Sequence, residues 1–468
     1  MLPRTMGTTV RFLHYSDVEN AYDDPARIGR LASSIRELRD DATMICGTGD
    51  TTAPGLLAME TRGAHARRFF RAVAPDFATF GNHDFDPGTD PLRETVAESP
   101  QTWVTANLLE ESGDRQFAAD AGVQRTALTS VDGTRVGLAG VTDPETVRPH
   151  PGAEGVRVTD PVEAAARATD ELVDRGVDLV VVLSHAGESD DGIASLPAVD
   201  LVLGGHVHDV RNDRVDGTPV VHPGQRGERL SEVVVTDGAV DVVLHDVTEA
   251  EVAADVAETY RDLRTETGLD ETLTRVEGTV PRDRAACYPE SVMGNTVADA
   301  YRWSADADVA IFNAMQLRTG PALSGEVTVG DVRGAIPFDN PIHATTLTGE
   351  EVLELLANLG APGPDLEVFG HVSGATLTWR RTGDDLALDS ATVGGESPDP
   401  SATYRVSAPA YAFDRGLFPP LASDRVEETT GRAHEALVAH VRRHGLTDLE
   451  GRMRTSVDDA EGSLRSLD

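Results

Sequence analysis

Residues 77–86 form the sequence FATFGNHDFD, a short apolar run followed by glycine, asparagine, histidine and aspartate. An apolar, partly aromatic run of this length predicts a buried strand, and glycine lets the backbone turn sharply where the strand ends. In α/β sheets, ligand sites gather outside the carboxyl ends of the strands. This stretch therefore predicts a strand of an α/β domain with a functional loop at its end.

The same pattern recurs along the first half of the chain. Further strand candidates are TTVRFLHYSD, ATMICGTGD, TRVGLAGVTD, VDLVVVLSHAG and VDLVLGGHVH. Amphipathic patterns such as DPARIGRLASSIRELRDD and TDPVEAAARATDELVDRG lie between several of them and predict helices. This alternation of strands and helices favours a layered α/β domain.

The second half has a different organisation. A helix is predicted over 248–267, with Thr248 and Glu251 as a capping box and Gly268 as its stop. Beyond it, SVMGNTVADAYRW and TLTGEEVLELLANLG predict helices, the latter with a Thr348/Glu351 capping box, and strands follow them. The predicted boundaries are 1–247 for the α/β domain, 248–275 for a linker helix and 276–468 for an α+β domain.

Five of the strand-end loops carry side chains of the types that bind metals. They contain Asp17 and Glu19, then Asp50, then Asn82, His83 and Asp84, then His185, and finally His206 and His208. Imidazole and carboxylate groups suit divalent Zn, Mn, Fe or Mg. Each motif alone has an ordinary structural explanation, such as a helix cap or a hydrogen-bonded surface histidine. Their recurrence after five of the six predicted strands indicates a metal site.

The composition restricts the class of partner. The chain has 468 residues and a net charge of -38, and all 41 of its basic residues are arginine. Such a surface repels nucleic acid and anionic membranes, so neither is an expected partner. We expect adaptation to high salt, which screens the self-repulsion. With two cysteines, no apolar leader and no long apolar run, we expect a cytoplasmic protein without a disulfide framework.

The ordered motifs resemble those of the calcineurin-like metallophosphoesterases, and more closely those of the 5′-nucleotidase / UDP-sugar hydrolase / 2′,3′-cyclic nucleotide phosphodiesterase family. LHYSD is similar to that family's LHTND, and GNHDFD is similar to its GNHEFD. In the second half, FNAMQLRTG and GEVTVGDVRGAIPFDN resemble family segments as well. The resemblance implies a four-layer α/β/β/α metal domain followed by a C-terminal α+β substrate domain.

The resemblance also implies a set of metal ligands and catalytic groups. One cation would be held by Asp17, Asp50, His208 and Glu19, and the other by Asp50, Asn82, His185 and His206. His83 would stabilise the transition state and assist the leaving oxygen, and Asp86 would orient it. Asp84 is expected to support the loop rather than to bind metal. His14, His65, His150 and His222 are expected to be structural.

Glu19 stands where the family has histidine. A carboxylate is a harder ligand than imidazole, so its presence beside Asp17 and Asp50 favours Mn or Mg over Zn. Two alternatives stay open: Glu19 binds the metal, or it turns away and water completes the site. Two divalent cations are expected in either case, with Mn favoured.

The substrate residues implied by the resemblance are Asn313 and Arg318 for phosphate or ribose, and Phe338, Asn340 and Tyr411 for a nucleobase. Two departures put the nucleotide specificity in question. A family arginine is replaced by Pro289, for which Arg282 or Arg284 could compensate. The family's GGDG is FDRGLF here, where Asp414 or Arg415 could substitute.

The sequence therefore predicts a dinuclear metal-dependent phosphohydrolase that acts on a small phosphorylated substrate, foremost a 5′-nucleotide. The alternatives are a 2′,3′-cyclic nucleotide phosphodiesterase or nucleotide-sugar pyrophosphatase, a nucleotide- or metal-binding protein that has lost catalysis, and a related thiosulfate-ester hydrolase. The oligomeric state is not indicated.

Overall fold

The computed structural model describes residues 9–283, 290–359, 369–382, 385–458 and 464–466. The chain divides into two compact units, Met1–Thr267 and Gly268–Asp468. Within the described residues, no helix combines the length and the apolar character needed to cross a membrane.

The first unit contains two six-stranded mixed sheets. The first sheet has, in spatial order, β14 (Ala239–Asp246), β13 (Arg229–Thr236), β1 (Thr9–Tyr15), β2 (Thr43–Thr48), β3 (Phe77–Thr79) and β4 (Thr102–Trp103). Strands β1 to β4 are parallel, whereas β13 and β14 form an antiparallel edge. The functional loops predicted after β1, β2 and β3 therefore emerge at one end of this sheet.

The second sheet repeats this arrangement. Its spatial order is β11 (Arg211–Val215), β12 (Thr218–His222), β10 (Leu201–Gly204), β9 (Leu179–His185), β7 (Thr134–Thr142) and β6 (Thr126–Val131). Strands β7, β9, β10 and β12 are parallel, and β6 and β11 are antiparallel edges. A separate two-stranded ribbon joins β5 (Leu108–Glu110) and β8 (Val156–Val158).

The two sheets pack face to face over an apolar core. Phe12 and Met44 of the first sheet lie in one cluster with Leu138, Leu183 and Leu203 of the second. Such near-continuous apolar strands are expected where a sheet is covered on both faces. Helices cover the outer faces: Tyr15 of β1, for example, makes an edge-on ring contact with Phe69 of the helix Ala66–Val73. The predicted four-layer α/β/β/α arrangement is confirmed.

The helices of this unit follow from capping signals and apolar stripes. Helix α1 begins at Pro25 because the Asp24 side chain accepts hydrogen bonds from the backbone N–H groups of Ala26 and Arg27. The helices are α1 (Pro25–Leu38), α2 (Leu56–Thr61), α3 (Ala66–Val73), α4 (Thr89–Glu98), α5 (Pro144–Val147), α6 (Pro161–Asp174), α7 (Asp190–Ala194) and α8 (Ala254–Glu266).

The helix predicted over 248–267 is shorter at its start than expected. Helix α8 begins at Ala254, and Thr248 instead donates its backbone N–H to the Asp246 side chain. The predicted Thr248/Glu251 capping box is therefore wrong, because a local turn after β14 uses Thr248. The helix packs inside the first unit: Tyr260 stacks on Tyr22 and donates its hydroxyl to the carbonyl oxygen of His65.

The second unit combines sheets and helices, as an α+β domain does. Its five-stranded sheet has the order β19 (Gly370–Ser373), β16 (Val309–Asn313), β22 (Thr403–Pro409), β18 (Pro341–Thr348) and β23 (Glu428–Arg432). A four-stranded sheet has the order β21 (Asp385–Val393), β20 (Ala375–Thr382), β24 (Met453–Asp458) and β25 (Leu464–Ser466). A ribbon joins β15 (Thr272–Val280) and β17 (Leu323–Thr328).

The predicted helix signals of this unit are largely found. Thr348 and Glu351 form the expected capping box of α11, and Ser291 caps α9. Gly360, the predicted stop of α11, lies outside the described residues. The helices are α9 (Val292–Ala305), α10 (Val329–Arg333), α11 (Gly349–Ala357), α12 (Ala410–Asp414) and α13 (Ala433–His444). The predicted domain boundaries stay predictions, beside the observed division at Thr267/Gly268.

Candidate metal centre

The predicted loops of the two sheets meet at one point of the first unit. The carbonyl oxygen of Thr48, at the end of β2, lies 2.6 Å from Nδ1 of His185 at the end of β9. This hydrogen bond fixes the imidazole so that Nδ1 carries the proton and Nε2 is left as a possible ligand atom. Nε2 of His185 lies 3.2 Å from Oδ2 of Asp50. The sequence-predicted residues of both sheets are thus brought together.

One group of possible ligands consists of Asp17, Glu19 and His208. Nε2 of His208 lies 3.1 Å from Oε1 of Glu19 and 3.8 Å from Oδ1 of Asp17. The Glu19 side chain is nearly buried, at 8% exposure, whereas that of His208 is 43% exposed. Glu19 therefore points into the centre and toward His208, which is the position that a metal ligand needs.

A second group consists of Asp17, Asp50 and His185, all three of them buried. Asp17 belongs to both groups, whereas the predicted sets shared Asp50 as the bridging residue. Two further predicted ligands are Asn82 and His206, of which His206 falls in neither group. His206 packs edge-on against His185 with ring centroids 5.0 Å apart, and its Nε2 lies 3.6 Å from Oδ2 of Asp143. These two residues lie beside the centre, and their role as ligands stays a prediction.

The centre is built on a strained backbone. Asp17, Glu19, Asp50 and His206 all have positive φ angles, of 47°, 48°, 50° and 73°. Residues with a Cβ rarely adopt this left-handed conformation, which costs about 1 kcal/mol or more at each position. The position of Gly81 has no room for a side chain, because a Cβ there would lie 2.1 Å from Oδ1 of Asp50. The presence of carboxylate and imidazole side chains at these positions, despite the conformational cost, therefore indicates that the side chains have a function there.

The charges of the centre fit a divalent cation. Burial raises the pKa of Asp17 to about 7; His185 opposes the shift, and Asp50 and Glu19 add to it. Oδ1 of Asn82 is buried and has no hydrogen-bond partner among the residues that the structure describes. Crowded carboxylates and an unsatisfied amide oxygen are both costly without a positive ion to bind them. The residues present therefore fit a site for divalent metal ions.

Asp84 supports the centre without joining it. Its fully buried carboxylate accepts backbone hydrogen bonds from Gly81, Asp50, Thr51 and Thr52, at 2.8 to 3.0 Å. It also accepts a bond from the hydroxyl of Thr52. These bonds tie the loop after β2 to the loop after β3. The expectation that Asp84 is a supporting residue agrees with this geometry.

The predicted pair of His83 and Asp86 is in place. Nδ1 of His83 lies 3.2 Å from each carboxylate oxygen of Asp86. Burial disfavours the charged imidazole, but the bond to Asp86 and the charge of Asp50 raise the pKa of His83 to about 9. The backbone N–H of His83 donates to Oδ1 of Asp50 at 2.8 Å, which places this pair beside the ligand cluster.

His150 was expected to be structural, and here sequence reasoning missed a contact. Its Nε2 lies 2.9 Å from Oδ1 of Asp86, so Asp86 has a histidine on each side. His150 follows α5 and is separated from Asp86 by 64 positions in the sequence, so no local motif predicts this contact. By contrast, His14 is structural as predicted: it is fully buried and hydrogen-bonds Ser231 and Thr48 through its two ring nitrogens.

The predicted substrate residues lie at one end of the strands of the five-stranded sheet in the second unit. Antiparallel β18 and β22 pair Ile342 with Pro409, so Asn340, just before β18, and Tyr411, just after β22, lie at the same end of these strands. Asn313 ends β16, which neighbours β22. Its buried side chain accepts a hydrogen bond from the backbone N–H of Met315 at 2.8 Å and so caps a short turn.

Two arginine–aromatic pairs occur at the same end of these strands. The guanidinium of Arg318 lies 4.6 Å from the ring centroid of Phe338, and that of Arg415 lies 5.3 Å from the ring centroid of Tyr411. Arg415 is thus near Tyr411, a predicted stacking residue, and its suggested substitution for the family's GGDG aspartate stays a prediction. Arg282 is buried and donates to the carbonyl oxygen of Asp331. Arg284 and Pro289 lie outside the described residues.

Comparisons with known proteins agree with this architecture. Residues 10–210 match the calcineurin-like phosphoesterase family, and residues 272–421 match the 5′-nucleotidase C-terminal domain. Endonuclease YhcR of Bacillus subtilis (strain 168) is 26% identical over 374 residues, which cover 71% of this chain but 29% of that protein. The 5′-nucleotidase of Vibrio vulnificus (strain CMCP6) is 22% identical over 403 residues, with 72% and 71% covered.

The fold is also found among solved structures. The crystal structure of a 5′-nucleotidase precursor from Thermus thermophilus superposes with a TM-score of 0.67 at 22% identity, covering 96% of this chain and 99% of that one. At this identity the likeness concerns the fold alone. The two matched domains occur in the predicted order and each contains the corresponding predicted residues. The chain therefore contains a calcineurin-like phosphoesterase domain over residues 10–210, followed by a 5′-nucleotidase C-terminal domain over residues 272–421.

Proposed function

We propose that this protein is a dinuclear metal-dependent phosphohydrolase that releases phosphate from 5′-nucleotides. The observation that carries the proposal is the convergence of Asp17, Glu19, Asp50, His185 and His208 into two adjacent ligand groups. A histidine held by a carboxylate lies directly beside them. A purely structural cluster has no need of that neighbouring pair.

Asp17, Glu19 and His208 would hold one cation, and Asp17, Asp50 and His185 the other, with Asn82 and His206 completing the shell. When bound, two divalent cations would supply an activated water and neutralise the phosphoryl oxygens. We propose Mn²⁺ as the preferred ion because carboxylates outnumber imidazoles in the two groups and are the harder ligands.

His83 supplies the protein's own acid. Nδ1 of His83 donates to Asp86, and this hydrogen bond raises the pKa of the imidazole and favours its protonated form. Nε2 is then free to donate toward the oxygen of the leaving group or to a phosphoryl oxygen as negative charge develops there. Asp86 holds the ring in this orientation, as a carboxylate does in other histidine–carboxylate pairs.

The second unit supports a nucleotide as the substrate. Phe338 and Tyr411 are partly exposed aromatic rings, each with an arginine beside it. A nucleobase stacks on aromatic faces, and the planar guanidinium binds phosphate through two parallel hydrogen bonds. Asn313, whose side-chain oxygen caps a turn, and Asn340 contribute polar groups at the same end of these strands.

A second candidate is a phosphodiesterase. The relative from Bacillus subtilis is named an endonuclease, and endonucleases cleave phosphodiesters. Pro289 in place of the family's arginine and FDRGLF in place of its GGDG are also compatible with a substrate of different shape. The same metal cluster would serve both reactions, since they differ in the leaving group and not in the attacking water. Hydrolysis of a nucleotide sugar belongs to this second candidate.

A substrate panel separates these candidates. Phosphate release is measured from AMP, and product formation from a 2′,3′-cyclic nucleotide, a nucleotide sugar and an aryl phosphate, in molar KCl with Mn²⁺. We expect AMP to give the highest kcat/KM. A preference of tenfold or more for the cyclic nucleotide or the nucleotide sugar would establish the second candidate. Metal binding with no turnover on any substrate would indicate a binding protein.

A further inference from the structure

Asp86 is contacted by two histidines, and the predicted catalytic pair uses only one of them. Oδ1 of Asp86 lies 2.9 Å from Nε2 of His150 and 3.2 Å from Nδ1 of His83. Burial opposes ionisation of Asp86, but the bonds from the two histidines hold its pKa below the ordinary value. The carboxylate is therefore a charged centre between two ring N–H groups.

The tautomer of His150 is fixed by its own loop. The backbone N–H of Gly152 donates to Nδ1 of His150 at 3.1 Å, so Nδ1 is the acceptor of the ring. The proton of the neutral ring must then lie on Nε2, which faces Asp86. His150 consequently serves as an N-cap through Nδ1 and as a hydrogen-bond donor through Nε2.

The loop of His150 is packed directly against the loop of Asp86. A Cβ at Gly152 would lie 1.9 Å from the carbonyl oxygen of Phe85, the residue before Asp86. His150 itself donates its backbone N–H to the carbonyl oxygen of Val147, and its carbonyl oxygen accepts from the backbone N–H of Ala153, both at 3.0 Å. The loop is thus anchored at both ends and holds the imidazole at a set distance.

We propose that His150 is a positioning residue for the hydrolytic reaction and acts on His83 through Asp86. This inference rests on the proposed phosphohydrolase function. Nδ1 of His83 lies 3.2 Å from both oxygens of Asp86, so this contact alone does not select one orientation of the carboxylate. The shorter bond from His150 to Oδ1 selects it. With the carboxylate fixed, the ring of His83 keeps Nε2 directed at the reacting phosphate.

The alternative is that His150 only caps the turn at 151–153. Two substitutions distinguish the roles because each keeps one of the two hydrogen bonds. In His150→Asn the side-chain oxygen replaces Nδ1 as the N-cap, but no donor reaches Asp86. In His150→Gln the amide N–H₂ reaches the position of Nε2, but the cap is lost. The matched control is His245→Asn, since His245 also pairs with a carboxylate, that of Glu232 at 2.8 Å on the outer strands.

Steady-state hydrolysis of AMP and of an aryl phosphate is measured with Mn²⁺-loaded protein. We expect His150→Asn to lower kcat about 10- to 100-fold with KM changed less than about threefold, as for loss of a group that orients a catalytic residue. His150→Gln should recover most of that loss, and His245→Asn should match the wild type. Full activity in His150→Asn, or a larger loss in His150→Gln than in His150→Asn, would overturn the proposal.

Crystal structures of the two variants test the geometry without reference to turnover. We expect the Asp86 carboxylate to rotate away from His83 in His150→Asn and to keep its orientation in His150→Gln. An unchanged carboxylate in His150→Asn would overturn the positioning role. If the wild type hydrolyses no phosphoester, the proposed function fails, and these structures still decide whether His150 orients Asp86. A loss of bound metal in His150→Asn would also contradict the proposal, because a positioning residue leaves the ligands in place.

Discussion

At the residue scale, the centre depends on a few side chains whose backbone is held in an unfavourable conformation. Asp17, Glu19 and Asp50 have φ angles near +50° and are buried, and Nε2 of His185 lies 4.0 Å from Oδ1 of Asp17 and 3.2 Å from Oδ2 of Asp50. Glycine would adopt these φ angles without this cost, so carboxylates at these positions indicate a bound ligand that offsets the strain. A buried cluster with this much negative charge is stable only with a cation or with bound protons.

Replacing His83 by alanine tests the proposed acid. We expect His83→Ala to lower kcat about 100- to 1,000-fold, because the acid and its positive charge are both lost. The content of metal should stay the same, since His83 belongs to neither ligand group. The measurement is kcat on an aryl phosphate together with metal analysis, and His245→Ala is the matched control. Loss of metal together with activity would make His83 a ligand instead.

Glu19 decides which metal the centre prefers. In Glu19→His we expect the ratio of Mn²⁺ to Zn²⁺ affinity to fall about tenfold, because imidazole is a softer ligand than carboxylate. Competition binding to metal-stripped protein measures the ratio. Glu163→His, at a side chain that is 73% exposed on α6, is the control. An affinity ratio unchanged by the substitution would mean that Glu19 does not touch the metal.

At the element scale, Asp299 of α9 ties three elements of the second unit together. It accepts two hydrogen bonds from Arg452 at 2.8 and 2.9 Å, one from Thr447 at 2.8 Å and one from Ser373 at the end of β19. Burial opposes its ionisation, but the bonds from Arg452 and Ser373 keep the pKa of Asp299 below its ordinary value of 3.8. The lowered pKa makes the second unit sensitive to acid.

A carboxylate with a lowered folded-state pKa stabilises the protein above its unfolded-state pKa, and the stabilisation is lost as pH falls through the folded value. We therefore expect Asp299→Asn to reduce the free energy of unfolding of the second unit by about 3 kcal/mol at about pH 7. The difference between variant and wild type should shrink below about pH 4. Urea unfolding at neutral pH and at about pH 3 measures it, and equal differences at both values would contradict this account.

Element signals in the sequence were reliable where the pattern was local and complete. The Thr348/Glu351 box begins α11 as predicted, because both reciprocal hydrogen bonds form within one turn. The same spacing at Thr248 and Glu251 does not begin a helix, because the backbone N–H of Thr248 donates to the Asp246 side chain and so forms a turn instead. Asp246 thus competes with Glu251 for the backbone N–H of Thr248, and the hydrogen bond to Asp246 is the one that forms.

At the scale of the whole molecule, the order of the motifs predicted the layered fold and the meeting of strand ends, because parallel strands bring their carboxyl ends to one edge. It did not predict His150, whose contact with Asp86 depends on the packing of a turn against Phe85. Such contacts depend on side-chain directions that chain order does not specify.

The net charge of -38 should make stability depend on salt. We expect the thermal midpoint to rise by about 10 °C between about 0.1 and 3 M KCl, because the Debye length falls from about 10 Å to below about 3 Å. Sucrose at equal osmolality is the control for exclusion of solutes from the surface. A midpoint that does not change with KCl would contradict adaptation to high salt.

We propose that two cations at the strand ends make this protein a phosphohydrolase. A titration of metal-stripped protein with Mn²⁺ in molar KCl, in which phosphate release from AMP is followed against metal equivalents, tests this directly. We expect negligible activity without metal and a rise that levels off at two equivalents per chain. Levelling at one equivalent, or no phosphate release with two ions bound, would contradict it.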